Sequence, residues 1–333
     1  MRENYPGSRK MELTVISQAL EIRYIDLKFT LIIQEDCMLP RYKTSALRGG
    51  MGQMLLKQNC IRDEQCESCD FAEECLVRRM MYSKYEIQPK FATRGDSIGY
   101  VIECENMKER FRSGEKLNFH LLLYGKTIAY FSQFLQAFYM LGQCGLGKEH
   151  VRYQIVKVEN EKGETVVDKS NVYLSKLGIS TVREYVKMRR KQMMGRKVCT
   201  MHFLTPTTLK YQGEFLQQFH EEAILRSVFR RIYSFDCFEG NPIPLLEIDE
   251  KLPEIVKQEV HFVSVPRYSS TMQGKMSLKG IQGDVVFEYL TENLLIMLLA
   301  GEKLHIGKNT SFGFGKYVMG EGYGRFSYFS DSL

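Results

Sequence analysis

An alternation of strand and helix patterns that runs through the sequence twice is the feature that most constrains its fold. "EIRYIDLKFTLIIQ" has the β-branched and aromatic content of a strand, and "SALRGGMGQMLLKQ" behind it carries Leu47, Met51, Met54, Leu55 and Leu56 at helical spacing. "IGYVIECENM" and "KLNFHLLLYG" read as two strands, "FSQFLQAFYMLG" as a buried helix, "QCGLGKEH" as a glycine turn and "VRYQIVKVEN" as a closing strand. The order βαββαβ is the ferredoxin-like motif. The second half repeats it: "CTMHFLTPTTLKY" is strand-like, "GEFLQQFHEEAILRSVFRRIYSF" a long amphipathic helix, "EVHFVSV" and "IQGDVVFEYL" two strands, "ENLLIMLLAGEK" a helix and "GKYVMGEG" a last strand. The helix, glycine turn and strand of Phe134 to Val158 thus return at Asn293 to Met319, which predicts an α+β protein of tandem ferredoxin-like (RRM-like) domains.

A length of 333 residues suits two cores. The expected boundaries are a first domain over 1–182 with a cysteine-rich insertion at 60–75, a basic linker over 183–198, and a second domain over 199–333 that contains a glycine-rich loop. No apolar run reaches the roughly 18 residues of a membrane span, and "MRENYPGSRKMELTV" lacks the apolar core of a signal peptide, so a cytoplasmic location without a membrane partner is expected. Nine cysteines, an odd number, fit a reducing compartment. The net charge of +6 favours an anionic partner.

Two segments carry concentrated chemistry in the first half and at the junction. In "CIRDEQCESCDFAEEC", Cys60, Cys66, Cys69 and Cys75 could reach one tetrahedral centre, which suggests structural zinc, an iron-sulfur cluster being the other occupant such thiolates hold. The lesser alternative is unligated thiols in a surface loop, which the acids Asp63, Glu64, Glu67, Glu73 and Glu74 would keep exposed. In "VREYVKMRRKQMMGRKV", Glu184 is the one acid among seven cations; Arg189 and Arg190 make it either a solvated helix or a phosphate-contacting ridge.

Near the carboxy terminus, "HIGKNTSFGFG" resembles no standard nucleotide loop. A P-loop needs G-x-x-x-x-G-K-[ST] after a strand, whereas here five residues separate Gly301 from Gly307, Lys308 is followed by Asn309 and a helix precedes the run. What remains is a turn whose glycine amides can approach phosphates, with Lys308 adding charge and Phe312 and Phe314 able to stack on bases or pack inward. Of six histidines only His305 adjoins this loop, which makes it the best placed for acid–base work on a phosphodiester. "PRYSSTMQGKMSLKG", with Arg267, Tyr268, Ser269 and Lys275, offers cations, an aromatic and hydroxyls between two strands.

Taken in order, "ALRGGMGQMLLKQNC" with its following cysteines, "GLGKEHVRYQIVKV", "FLTPTTLK", "FRRIYSF", "PRYSSTMQGKMSLKGIQG" and "LHIGKNTSFGFGKY" resemble the CRISPR-associated RAMP endoribonucleases that process precursor crRNA. The resemblance implies tandem ferredoxin-like domains and metal-independent cutting of CRISPR repeat RNA, in which the 2′-hydroxyl attacks the adjacent phosphate to leave a 2′,3′-cyclic phosphate and a 5′-hydroxyl. No catalytic metal is implied, so an ion on the cysteines would be structural. It points to the loop residues Gly307, Lys308, Asn309, Thr310, Ser311, Gly313 and Gly315 as RNA contacts, with CRISPR effector subunits as further partners. Relatives often carry a general-base histidine on or near the first helix, with a tyrosine and a lysine close by. Tyr42 and Lys43 stand there, but Pro40 to Lys57 contains no histidine. The expected catalytic set is therefore His305, with Lys308 and Arg48 stabilising charge and Tyr42 beside them. The alternative is a non-catalytic RAMP-type RNA-binding subunit of a crRNA-guided complex.

Overall fold

The computed structural model describes residues 12–64, 66–82, 84–92, 97–169, 171–193, 198–240, 244–269 and 274–321. The first half folds as β1 (Arg23–Ile33), α1 (Thr44–Asn59), β2 (Tyr100–Glu103), β3 (Lys116–Tyr124), α2 (Phe131–Cys144) and β4 (Tyr153–Asn160). The sheet order β2-β3-β1-β4, antiparallel at each of these contacts, is that of a ferredoxin-like unit. Period-2 alternation sends Phe29 and Phe119, paired across β1 and β3, to one face, where their rings stack at 4.7 Å and meet Phe138 of α2. Leu47, Met51 and Leu55 of α1 close the same core.

The second half contains β5 (Val198–Thr207), a short hairpin of β6 (Lys210–Tyr211) and β7 (Glu214–Phe215), α4 (Glu221–Glu239), β8 (Glu254–Ser269), β9 (Gly274–Glu288), α5 (Glu292–Leu304) and β10 (Tyr317–Glu321). Its sheet order is β8-β9-β5-β10, so the tandem ferredoxin-like fold expected from the sequence is what forms. The helix read from Gly213 onward begins instead at Glu221. Gln212 and Gly213 both take positive φ (50° and 93°), the conformation of a tight two-residue hairpin turn, and this pulls the preceding residues into β6 and β7. β8 and β9 pair from Glu254–Glu288 to Ser269–Gly274 with one irregularity between Ile255 and Lys257, but β5 accompanies β9 only from Ile281 to Glu288, so the distal half of this hairpin extends past the sheet.

Both faces of the first sheet are covered. Its odd face meets α1 and α2, while Tyr24, Val101, Leu122 and Tyr124 point the other way into a core shared with Val228 and Phe235 of α4 and with Leu294 and Leu298 of α5. Polar groups fasten this junction. Lys303 of α5 donates to Asp26 of β1 at 2.8 Å and lies 2.7 Å from Glu161, and the Tyr124 hydroxyl donates to the Lys303 carbonyl. Burial alone raises the Asp26 carboxyl, but Lys303 and His120 outweigh it and hold it down at about 2.

The basic segment at the junction forms α3 (Val182–Met193), packed on α5. Its last four basic-run residues, 194–197, lie outside the described residues. Among the described residues no helix is long and apolar enough to cross a membrane.

Candidate functional site

The glycine-rich loop is built from α5 outward. His305 ends the helix at φ 58°, Asn309 takes the left-handed conformation, Thr310–Phe312 form one 3₁₀ turn, and Gly313 and Gly315 stand at φ 76° and 75°. Glycine is required at the last two positions for space as well. A Cβ on Gly313 would sit 2.6 Å from the Ile102 carbonyl oxygen in the first domain, and one on Gly315 would sit 1.9 Å from the Ile306 carbonyl oxygen.

The loop amides are used inside the protein. Gly307 donates to Ser227 Oγ, Lys308 to the Thr208 carbonyl, Gly313 to the Thr310 carbonyl and Gly315 to the Pro206 carbonyl. The expectation that Gly307, Gly313 and Gly315 present their amides to phosphates is therefore corrected: those donors shape the loop. What the loop offers outward is side chains at its crown. Thr310 and Ser311 are buried, Lys308 is exposed, and the two phenylalanines divide, Phe314 entering the core and Phe312 staying half-buried at the surface.

Around Phe312 two guanidiniums from different domains converge. Arg48 of α1 places its Cζ 4.2 Å from the ring centroid, donates to Ser311 Oγ at 3.2 Å and reaches Ser97 Oγ at 3.2 Å. Arg267 of β8 places its Cζ 4.6 Å from the same ring, and its Nε has no hydrogen-bond partner. Among the described residues no carboxylate pairs with either. Burial and the nearby Arg48 hold the Arg267 guanidinium below its usual range, the sign expected when two like charges share a low-dielectric site. An anion between them would relieve that repulsion and accept from both forks. Tyr42 packs here as well, against Val265, Leu278, Phe312 and Phe314.

From this point a cleft of about 960 Å³ runs along the domain junction, between the glycine-rich loop, the β6–β7 hairpin and α4. Cations and aromatics interleave along it: Arg230 lies 5.4 Å from the Phe91 ring, and Lys210, Tyr211 and Lys308 line the far end. Arg226 is less free, since Glu222 four residues earlier accepts from it at 2.7 Å and also from the Tyr211 hydroxyl.

His305 is not in this cleft. It is fully buried, with Nδ1 2.8 Å from the Phe314 carbonyl oxygen and Nε2 2.7 Å from a Glu103 carboxylate oxygen. Both ring nitrogens are taken up by protein oxygens and shut away from solvent, so neither faces a place where a substrate could lie. Lys316 also pairs with Glu103 and reaches Glu105 at 2.7 Å. Burial pushes the Glu103 carboxyl up, yet Lys316 and His305 together hold it well below the usual carboxylate range. The expected role of His305 as acid or base gives way to a buried link between the loop and β2.

Lys43 is likewise absent from the cleft, being buried with its Nζ on the Asn106 and Lys108 carbonyls at 2.8 and 2.7 Å. In the junction helix, Arg189 is spent on Glu302 (2.9 and 3.0 Å) and the Met319 carbonyl, and Arg190 pairs with Glu292, so the expected phosphate ridge there is corrected to a packed helix. Tyr268 and Ser269 pair with Lys275 and Gly274 near the end of the β8–β9 hairpin, with Lys275 exposed. Cys60, Cys66, Cys69 and Cys75 are half-buried free thiols. Burial raises the Cys66 thiol, and the other three thiols add to that, but among the described residues no group of three or more His, Cys, Asp or Glu is arranged to hold a metal, so the expected zinc or cluster finds no site there.

Sequence reasoning missed three participants. Glu103 reads as one of two acids in a strand segment, Ser97 as loop, and the β6–β7 hairpin is absorbed into the flanking strand and helix patterns.

Two ferredoxin-like units meet at a glycine-rich loop, with the guanidiniums of Arg48 and Arg267 around its Phe312 ring. Residues 201–317 match the family model described as CRISPR-associated endoribonuclease Cas6, and residues 20–181 match a family described as an N-terminal domain. The second ferredoxin-like unit of this chain is thus similar to the CRISPR-associated endoribonuclease Cas6 family over residues 201–317. Among solved structures, a chain of a partial Cas6-RT-Cas1–Cas2 complex shares the fold at TM-score 0.54 and 10% identity, covering 91% of this chain and 46% of that one. This chain thus spans less than half the length of that relative. A Cas6 product complex from Thermus thermophilus matches at TM-score 0.50 and 16% identity, covering 89% of this chain and 98% of that one. No curated protein matches the sequence.

Proposed function

We propose that this protein cuts CRISPR repeat RNA within precursor crRNA by metal-independent transesterification at the Phe312 crown. The observation that carries this reading is the Arg48–Phe312–Arg267 arrangement, in which two guanidiniums, without acidic partners among the described residues, face one ring at the mouth of an RNA-sized cleft. The RNA 2′-oxygen bonds to phosphorus as the bond to the 5′-oxygen breaks. The 2′-hydroxyl proton leaves to water and the departing 5′-oxygen takes one from water, giving a 2′,3′-cyclic phosphate and a 5′-hydroxyl. Negative charge gathers on the non-bridging oxygens, where Arg48 and Arg267 stabilise it, with Lys308 adding field from the loop. Paired guanidiniums stand where a metal-dependent nuclease would need carboxylates. His305 and Glu103 hold the crown in place instead of moving protons, so the rate rests on alignment and charge.

A second reading, an RNA-holding subunit that does not cut, is favoured by one observation: among the described residues lining the cleft there is no histidine. One assay separates the two. Labelled repeat RNA from the host's CRISPR array is incubated with the protein in EDTA, beside RNA with a 2′-deoxy sugar at the cut site. Cutting that persists in chelator and disappears with the deoxy substrate is expected; tight binding without a cut sinks the nuclease reading.

A further inference from the structure

We infer that the β6–β7 hairpin is a base-stacking platform, with Phe215 receiving an unpaired nucleotide of the RNA beside the Phe312 crown; this rests on the RNA-cutting function proposed above. Phe215 is 55% exposed, an unusual place for a phenylalanine that no packing demands. The hairpin is held by other groups. Leu209 is buried, Leu216 donates its amide to the Leu209 carbonyl, and the Tyr211 hydroxyl donates to Glu222. A polar residue at 215 would serve the strand pairing of Lys210 with Phe215 equally well.

Two lysines flank the ring. Lys210 Nζ lies 5.9 Å and Lys308 Nζ 5.5 Å from its centroid, and among the described residues neither pairs with a carboxylate. An aromatic face between uncompensated cations is the combination that binds single-stranded nucleic acid, the ring taking a base and the cations its phosphates. The platform is also fixed in register with the crown. Thr208, at the root of the hairpin, accepts from the Lys308 amide at 3.0 Å, and its own Oγ1 donates to the Lys279 carbonyl of β9. Lys308, whose Nζ lies against Phe215, lines the same cleft as Arg48 and Phe312, so an RNA strand held at the crown can run on along the cleft toward the hairpin.

Stacking is blind to base identity but requires that the base be unpaired, so the hairpin would select a single-stranded nucleotide next to the cut. The test uses cleavage-blocked 2′-deoxy repeat RNA with 2-aminopurine placed in turn at each position flanking the cut. With the parental protein and with Phe215→Trp, fluorescence at one flanking position should be quenched on binding. With Phe215→Ala that quench should vanish and Kd should rise about tenfold, while the melting temperature stays at the parental value. If Phe215→Ala binds and quenches as the parent does, the platform is wrong and the cutting function stands. If the parent itself neither binds nor cuts repeat RNA, both fall together.

Discussion

Glu103 of β2 and His305 at the end of α5, 202 residues apart in sequence, meet in a buried hydrogen bond of 2.7 Å that joins the two domains beneath the glycine-rich loop. The pair explains why a histidine at the head of a glycine-rich loop can look catalytic in sequence and act as a fastening in the fold.

His305→Ala should therefore cost stability before it costs chemistry. It leaves the Glu103 carboxylate buried with one partner fewer, a loss on the order of 3 kcal/mol, and differential scanning calorimetry should show a lower melting temperature. His305→Ala protein that melts like the parent yet has lost cutting by more than a hundredfold would restore the acid–base role.

Arg48→Ala and Arg267→Ala should each lower the single-turnover cleavage rate by about 10²- to 10³-fold, the usual cost of removing a donor that faces developing charge. Arg48→Lys should recover only part of this, because an ammonium cannot reproduce the fork that spans Ser311 and Ser97. Quench-flow with end-labelled RNA measures both.

At Gly313, alanine is excluded by φ 76° and by the 2.6 Å approach of the Ile102 oxygen. Gly313→Ala should displace the crown from β2 and reduce cutting at least tenfold, with loss of far-UV signal being the result that reassigns the effect to misfolding.

For the domain junction, the sign of the pH dependence follows from Asp26. Its folded carboxyl is depressed to about 2 against an ordinary value near 4, so its contribution is fully present above that ordinary value and is lost as pH falls from about 4 toward 2. The effect is on the order of 2 kcal/mol. Asp26→Asn should flatten the decline in melting temperature across that window. His120, whose ring hydrogen-bonds Asp26, is raised, so its share is present below about 6.5 and fades as pH climbs through its folded value.

Arg189→Met should destabilise strongly, because Glu302 is almost fully buried and would lose both bonds of the fork. RNA affinity measured at a temperature where the variant is folded should be unchanged.

The doubled strand–helix pattern was legible because period-2 and helical spacing are local properties: Phe29 and Phe119, or Leu47 and Met51, announce their faces without knowing their partners. The β6–β7 hairpin escaped because Gln212–Gly213 is a weak turn signal embedded between longer patterns. The site was legible as a set of residue types and not as an arrangement. Arg48, Arg267 and Lys308 could be named, but their convergence on Phe312 depends on contacts hundreds of residues apart. The same blindness made Arg189 look like a phosphate ligand, since nothing near it in the chain reveals Glu302. For His305 the misleading signal was adjacency to glycines, which in three dimensions marks the loop's base and not its crown.

The first sheet has no solvent face of its own. Tyr24, Leu122 and Tyr124 are covered only when α4 and α5, encoded in the last third of the chain, arrive. During synthesis the amino-terminal unit must therefore wait with an apolar wall open to solvent or to a chaperone until the remainder has left the ribosome. A protein truncated before α4 should accumulate as aggregate even though its own βαββαβ pattern is intact.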